Sequence, residues 1–434
     1  MPQFRLKPSS LTLVATVAVL MIPWASAQAV EGAPAAPGTL IDVINEGTTG
    51  PFEIQRLATP LFGRHGPPIV ENGVTSYRIH YWTIGLDGEP AEVAAQLFVP
   101  IVERPAARPL YVFGSGTTGV ADACAPTRES VYPHPLGQYR PYLLAYAGRG
   151  FTAIIPDYLG FNDPDRLQSY FNAEAEARVM LDAVRAVQAF FESTLSGNPS
   201  FDDAFFDDRD GSPAGRRNVF LGGYSQGGHA AFAAADLQPA YAPELDLDGI
   251  LGFGATTDVE SLLREGPFYA PYIVLSYRQD YGSELFDPAS VLAPRWLGGL
   301  ELAAGKMCVD VVQAHYPFDG NRVYSRSFAE SLYGHTLEQD LPAIARILRQ
   351  NRTGLKGHGL PSLVVQGEDD VIVWTSSQTR FVRELCARGS DVQYLRFPNV
   401  RHRETRPVAF EQSIAWMRGL DRGNPPPSSC GLLE

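Results

Sequence analysis

The sequence has no cluster of basic residues, no C-x-x-C pair, no internal repeat, no long low-complexity segment and no apolar run long enough to cross a bilayer. Each absence removes a class of function. With 35 Lys and Arg against 48 Asp and Glu, and a net charge of −13, a surface without a basic patch repels nucleic acid and anionic membranes. The four cysteines, Cys124, Cys308, Cys386 and Cys430, lack the paired spacing of a metal or dithiol site. The longest N-terminal apolar run, Leu11 to Trp24, falls short of the roughly 20 residues of a spanning helix.

That run is preceded by Arg5 and Lys7 and followed by Ala25-Ser26-Ala27, the charged start, short apolar core and small-residue cleavage site of a secretory signal peptide. Cleavage is expected after Ala27, giving a secreted or periplasmic protein. No cysteine near that site supports a lipid anchor. Loss of the segment makes the balance more acidic and leaves roughly 400 residues, enough for one large domain with an insertion or for two domains. In an oxidising compartment an even number of cysteines favours two disulfides over metal binding, with three connectivities open.

Residues 28–50 are rich in Ala, Gly and Pro and show no periodicity, so an extended or loosely held arm is expected. Thr75–Thr83 alternates, with Tyr77, Ile79 and Tyr81 on one face, and a turn through Asp87-Gly88 leads to Ala94–Val99; this predicts an antiparallel hairpin. Beyond Pro105 and Pro109 strands alternate with helical stretches, as in a parallel sheet with crossover helices. The expected strands are Leu110–Phe113, Phe151–Ile155, Val219–Leu221, Gly249–Phe253, Leu363–Val365 and Val392–Phe397. Ala173–Phe191 and Ala409–Leu420 read as helices. Residues 256–355, dense in Tyr, Phe, Leu and Pro, are too long for a loop and read as a helical cap inserted into a core of residues 28–255 and 356–434.

Gly223-Tyr224-Ser225-Gln226-Gly227 lies between the apolar run Val219–Leu221 and the alanine-rich stretch from His229 to Ala235. A strand turning sharply through glycines into a helix, with Ser at the apex, is the nucleophile elbow of an α/β-hydrolase. The glycines leave room for a strained backbone, and Ser225 is the candidate nucleophile. A serine hydroxyl needs a general base, and the base an acid that fixes its tautomer. In this fold the order is Ser, acid, His. The run Val364-Val365-Gln366-Gly367-Glu368-Asp369-Asp370 places an acid after a strand, at the edge where catalytic groups gather. Asp370 is chosen, with Asp369 as alternate. Of eight histidines only His402 follows both that acid and the last expected strand. His229, four residues beyond Ser225, is assigned to the surface or to helix packing.

A developing oxyanion needs preorganised donors. The N–H of Gln226 is one, and Thr117 of the loop Gly114-Ser115-Gly116-Thr117-Thr118-Gly119 is taken as the other, by its N–H and its hydroxyl. That loop also spells G-x-G-x-x-G, but the Pro126 that follows argues against the long helix of a dinucleotide site. Asp208-Arg209-Asp210-Gly211 has the look of a partial calcium loop. Phe206 stands where its first ligand should be and no Glu closes it, so a solvated acidic loop is expected.

The loop Gly114–Gly119 through Cys124-Ala125-Pro126, then Pro156-Asp157-Tyr158-Leu159-Gly160, then Gly223–Gly228 resemble the secretory lipase family of α/β-hydrolases, of the lipase A type, over about residues 40–430. The resemblance implies a carboxylic ester hydrolase with a helical cap between serine and acid, and disulfides joining Cys124 to Cys308 and Cys386 to Cys430. Asp157 and Tyr158 belong to a family motif and are read as structural support. Three positions depart from the pattern: Ser115 replaces a His, Trp374 stands where Pro often follows the acid loop, and Arg401 precedes His402.

The expectation is a mostly parallel, doubly wound α/β-hydrolase fold acting as a serine esterase or lipase through an acyl-enzyme, with no metal or organic cofactor. Its partner is a small-molecule or lipid ester. The protein is expected to be a monomer that meets a lipid interface through the cap. A peptidase or amidase would carry the same triad, and a non-catalytic binding protein could keep the fold.

Overall fold

The computed structural model describes residues 28–29, 36–129, 137–195 and 217–432. The expected signal segment, residues 1–27, and the acidic stretch from Asp202 to Gly211 lie outside them. The strands are β1 (Gln28–Ala29), β2 (Leu40–Thr49), β3 (Val74–Ile84), β4 (Pro90–Pro100), β5 (Leu110–Gly114), β6 (Thr152–Pro156), β7 (Leu159–Asn162), β8 (Val219–Tyr224), β9 (Gly249–Phe253), β10 (Ser362–Gly367) and β11 (Val392–Phe397). Among the described residues ten of them form one sheet in the order β1-β2-β3-β4-β6-β5-β8-β9-β10-β11. β2, β3 and β4 run antiparallel, β4 meets β6 antiparallel, and every pair from β6 to β11 is parallel.

The helices include α1 (Pro51–Phe62), α2 (Tyr139–Gly148), α3 (Ala173–Leu195) and α4 (Gln226–Tyr241). After β9 come α5 (Val259–Glu265), α6 (Ala270–Tyr281), α7 (Arg326–Tyr333) and α8 (Pro342–Gln350), then α9 (Thr375–Ala387) and α10 (Phe410–Asp421). Successive side chains of a strand point to opposite faces, so the parallel strands, buried on both, read as continuous apolar runs. Leu110, Val112, Leu221, Ile250 and Val364 pack on α3, α4 and α9. Their neighbours Tyr111, Phe113, Phe220, Leu251 and Val365 pack on α1, α2 and α10. The sheet is therefore covered on both sides, as a doubly wound α/β fold requires.

Of the extended or loosely held arm expected over residues 28–50, the loosely held alternative is corrected: β2 is a ten-residue strand paired with β3, and β1 pairs with β2. Its pattern was hidden for a physical reason. Register shifts lie between Leu40 and Asp42 and between Asn45 and Gly47, and each breaks the period-2 alternation. Only Leu40 of this strand is buried. Helices α1 and α2 and strand β7 were also not anticipated.

Between β9 and β10 the chain is helical from α5 to α8, apart from a single bridge, Leu292 to Tyr324. This segment builds its own apolar cluster, including Ile273, Leu275, Val323, Phe328 and Ile347, joined by Ile372 and Val373 of the loop after β10. No helix among the described residues is long and apolar enough to cross a membrane.

Candidate active site

β5 has β6 on one side and β8 on the other, so the strand order reverses around it. A crevice opens at the carboxyl ends of such strands. Ser225 stands at the end of β8 with φ 54° and ψ −113°, a conformation that L-residues rarely adopt. Its backbone is clamped: the Ser225 N–H donates to Phe253 O at 3.0 Å, and Ser225 O accepts from Thr256 N at 3.1 Å. The strain thus falls on the serine itself. The flanking glycines provide clearance, since a Cβ on Gly227 would sit 1.8 Å from Gly114 O and one on Gly223 would sit 2.0 Å from Gly227 O. This close crossing of α4 over β5 and β8 is what holds the turn.

Asp370 and His402 meet across 32 residues of chain, with His402 Nδ1 2.7 Å from Asp370 Oδ2. Asp370 Oδ1 accepts the N–H groups of Ile372 at 2.8 Å and Val373 at 2.9 Å, which pins the carboxylate. His402 Nε2 has no hydrogen-bond partner among the described residues. His402 and Ser225 line the same cavity, of about 310 Å³. The Tyr224 ring lies 4.8 Å from the imidazole. Gly254, at φ 51°, passes beneath the pair, and a Cβ there would come 3.0 Å from His402 Nδ1 and 3.3 Å from Asp370 Oδ2. Asp369, the alternate acid, is exposed.

Gln226 is the first residue of α4, so its N–H belongs to those a helix start leaves without an intrahelical partner. Thr117 lines the cavity, and its N–H makes no backbone hydrogen bond among the described residues. Its hydroxyl lies 2.7 Å from Tyr170 OH, so that oxygen is already engaged. The loop is held from behind by Tyr158 OH, which donates to Ser115 O at 2.8 Å. Asp157 is fully buried and accepts from Thr127 N at 2.9 Å, Thr127 Oγ1 at 2.6 Å and Asn162 Nδ2 at 3.0 Å; burial raises its carboxyl above the ordinary range, against those bonds. Two 3₁₀ turns, Asp122–Cys124 and Pro126–Arg128, follow the glycine-rich loop where a dinucleotide site would need a helix start.

Cys124 is bonded to Cys308, and Val309 N donates to Thr118 O at 2.9 Å, so the helical segment is stitched directly to this loop. Cys386 of α9 is bonded to Cys430 near the C-terminus. A second stitch explains Trp374: its N–H donates to Glu265 Oε2 at 2.8 Å, a bond no proline could make. Burial pushes Glu265 up to about 6.

Sequence reading missed the group behind the elbow. Glu176 of α3 is fully buried, with Oε2 2.6 Å from His229 Nδ1, while Oε1 accepts from Gln226 Nε2 at 2.7 Å and Phe171 N at 3.0 Å. His229 Nε2 lies 2.7 Å from Asn351 O, beyond the end of α8. His229 is a packing residue, and this network ties the elbow helix to the far end of the inserted segment. Glu176→Ala is expected to lower unfolding stability by about 3–5 kcal/mol, because it leaves His229 and Gln226 buried without an acceptor. Glu176→Gln keeps every bond if His229 carries its proton on Nε2, and its loss should be far smaller. Urea unfolding of both variants measures the difference.

Comparison with known proteins bears on this geometry. A family model described as secretory lipase matches residues 208–276, which contain the elbow. The chain is 24% identical over 371 residues to a secreted triacylglycerol lipase of Malassezia furfur, spanning 80% of this chain and 86% of that one. It is 23% identical over 392 residues to lipase A of Moesziomyces aphidis, spanning 83% and 75%. Among solved structures, the rice cell wall degrading esterase LipA from Xanthomonas oryzae matches with a TM-score of 0.66 and 18% identity, covering 89% of this chain and 97% of that one. Candida antarctica lipase A matches with a TM-score of 0.63 and 20% identity, covering 91% and 84%. The fold is that of these α/β-hydrolases, and the chain is similar to the secretory lipase family, whose model matches it over the elbow segment.

Proposed function

We propose that the protein is an exported ester hydrolase, a lipase or esterase, in which Ser225 attacks the ester carbonyl. His402 takes the serine proton and returns it to the leaving alcohol, and Asp370 holds the imidazole with Nδ1 protonated. The N–H groups of Gln226 and Thr117 receive the oxyanion, and water then hydrolyses the acyl-enzyme. The observation that carries this reading is the 2.7 Å bond between His402 Nδ1 and pinned Asp370, which leaves Nε2 free in a cavity shared with strained Ser225. The similarity to secreted lipases and an esterase supports the substrate class. Residues 256–355 act as a cap, since they reach the oxyanion loop through Cys308 and Val309 and the acid loop through Glu265.

The test is a chain-length series of p-nitrophenyl esters together with labelling by a fluorophosphonate. Turnover is expected with the label on Ser225. Cleavage of peptides or amides in preference to every ester, or label on another residue, would reject the assignment.

A further inference from the structure

We infer that the cavity at Ser225 takes esters that carry a carboxylate, with Arg403 at its rim as the group that pairs the charge. The inference rests on the ester-hydrolase reading above and adds the substrate's charge to it.

Arg403 and Arg406 both line the cavity with Ser225. The Arg403 side chain is exposed and makes no ion pair among the described residues. Arg406 is 2% exposed, and its guanidinium lies 4.5 Å from the Tyr224 ring, 4.9 Å from Tyr139 and 5.3 Å from Tyr142. Its Nη2 donates to Gly137 O at 2.8 Å, whereas Nε and Nη1 have no partner among the described residues. Burial holds the Tyr139 phenol at about 12 and Tyr224 well above its ordinary range, so these rings are neutral faces that stack on the cation without cancelling it. The carboxylate among the described lining residues, Glu404, is already engaged by Arg64 Nε at 2.9 Å and by Arg401 N at 3.0 Å.

Elsewhere in this acidic chain arginines commonly find carboxylates, as in Arg78 with Glu46, Arg149 with Glu411 and Arg352 with Glu384. At the candidate site two do not. A buried guanidinium without a counter-ion is costly, and an anion in the adjacent cavity supplies the missing charge. The wider surface, at −13, repels such an anion, so a local positive wall beside the serine is what admits it. Arg406 is sealed by the tyrosines and acts through its field. Arg403 is free to form the charge-assisted bond.

The experiment compares kcat/KM for size-matched pairs: monoethyl succinate against ethyl pentanoate, with the charge on the acyl side, and acetoxyacetate against propyl acetate, with the charge on the alcohol side. In at least one pair the wild type should favour the anionic ester, and Arg403→Gln should lower that anionic-to-neutral ratio about tenfold. Arg403→Glu should reverse it. Preference for the neutral ester in both pairs, or a ratio unmoved by Arg403→Gln, overturns the inference. A preparation whose Ser225 is labelled by fluorophosphonate but whose ratios do not move rejects only the charge assignment. Absence of both labelling and turnover rejects the ester-hydrolase reading itself.

Discussion

Ser225→Ala lowers kcat on short-chain esters by about 10⁶-fold while the urea midpoint stays close to the wild-type value. The two parts of that expectation have separate causes. The serine occupies φ 54° because its N–H and C=O are clamped to Phe253 and Thr256, and these backbone bonds do not involve the hydroxyl. Alanine meets the same backbone penalty as serine, so folding is little changed. What is lost is the oxygen that becomes the acyl link, and no neighbour replaces it. The N–H groups of Gln226 and Thr117 remain and would still stabilise attack by water, which sets a small residual rate. A purified variant retaining a hundredth of wild-type kcat would remove Ser225 from its proposed role.

Asp370→Asn should cost about 10⁴-fold in kcat, again without unfolding the protein. The direction follows from which oxygen does what. Oδ1 takes two backbone N–H groups, from Ile372 and Val373, so in the variant that position must remain the carbonyl oxygen. The new amide NH₂ is then forced to the Oδ2 position, facing His402 Nδ1 at the 2.7 Å contact. Nδ1 must accept, the imidazole proton moves to Nε2, and the nitrogen presented to the serine is no longer a base. Kinetics at saturating ester, with unfolding measured in parallel, test this. A variant that keeps a tenth of the wild-type rate would mean that Asp370 does not set the tautomer.

Parts of this site are legible in the chain because their chemistry is local. The elbow is a strand, a glycine-flanked serine and a helix, all within about twenty residues, and close backbone passage at Gly223 and Gly227 leaves a mark in the sequence. Asp370 could be read because an acid just past a buried strand has few places to be, and His402 because the order of the fold leaves it alone behind that acid. β2 could not be read, since its register shifts and its exposed positions erase alternation. Gly254 gave no signal, because what makes it glycine is the imidazole of a residue nearly 150 positions further on. The Glu176 network was equally silent: a lone Glu on an amphipathic helix looks solvated, and only the packing of α3 on α4 brings it to His229.

The sequence by itself determined the fold class, the six strands of the parallel part of the sheet and the candidate serine, acid and base, because each follows from periodicity, turn chemistry or order. Only the tertiary structure decided which oxygen of Asp370 meets His402, that Thr117 spends its hydroxyl on Tyr170, and that the inserted helices are tied to both site loops. It also decided that two arginines stand at the cavity without a carboxylate partner among the described residues, one caged by tyrosines from α2 and β8. Charge and hydrogen-bond partnership are properties of neighbours in space, and in this protein those neighbours come from segments far apart in the chain, 32 residues for Asp370 and His402 and 184 for Cys124 and Cys308.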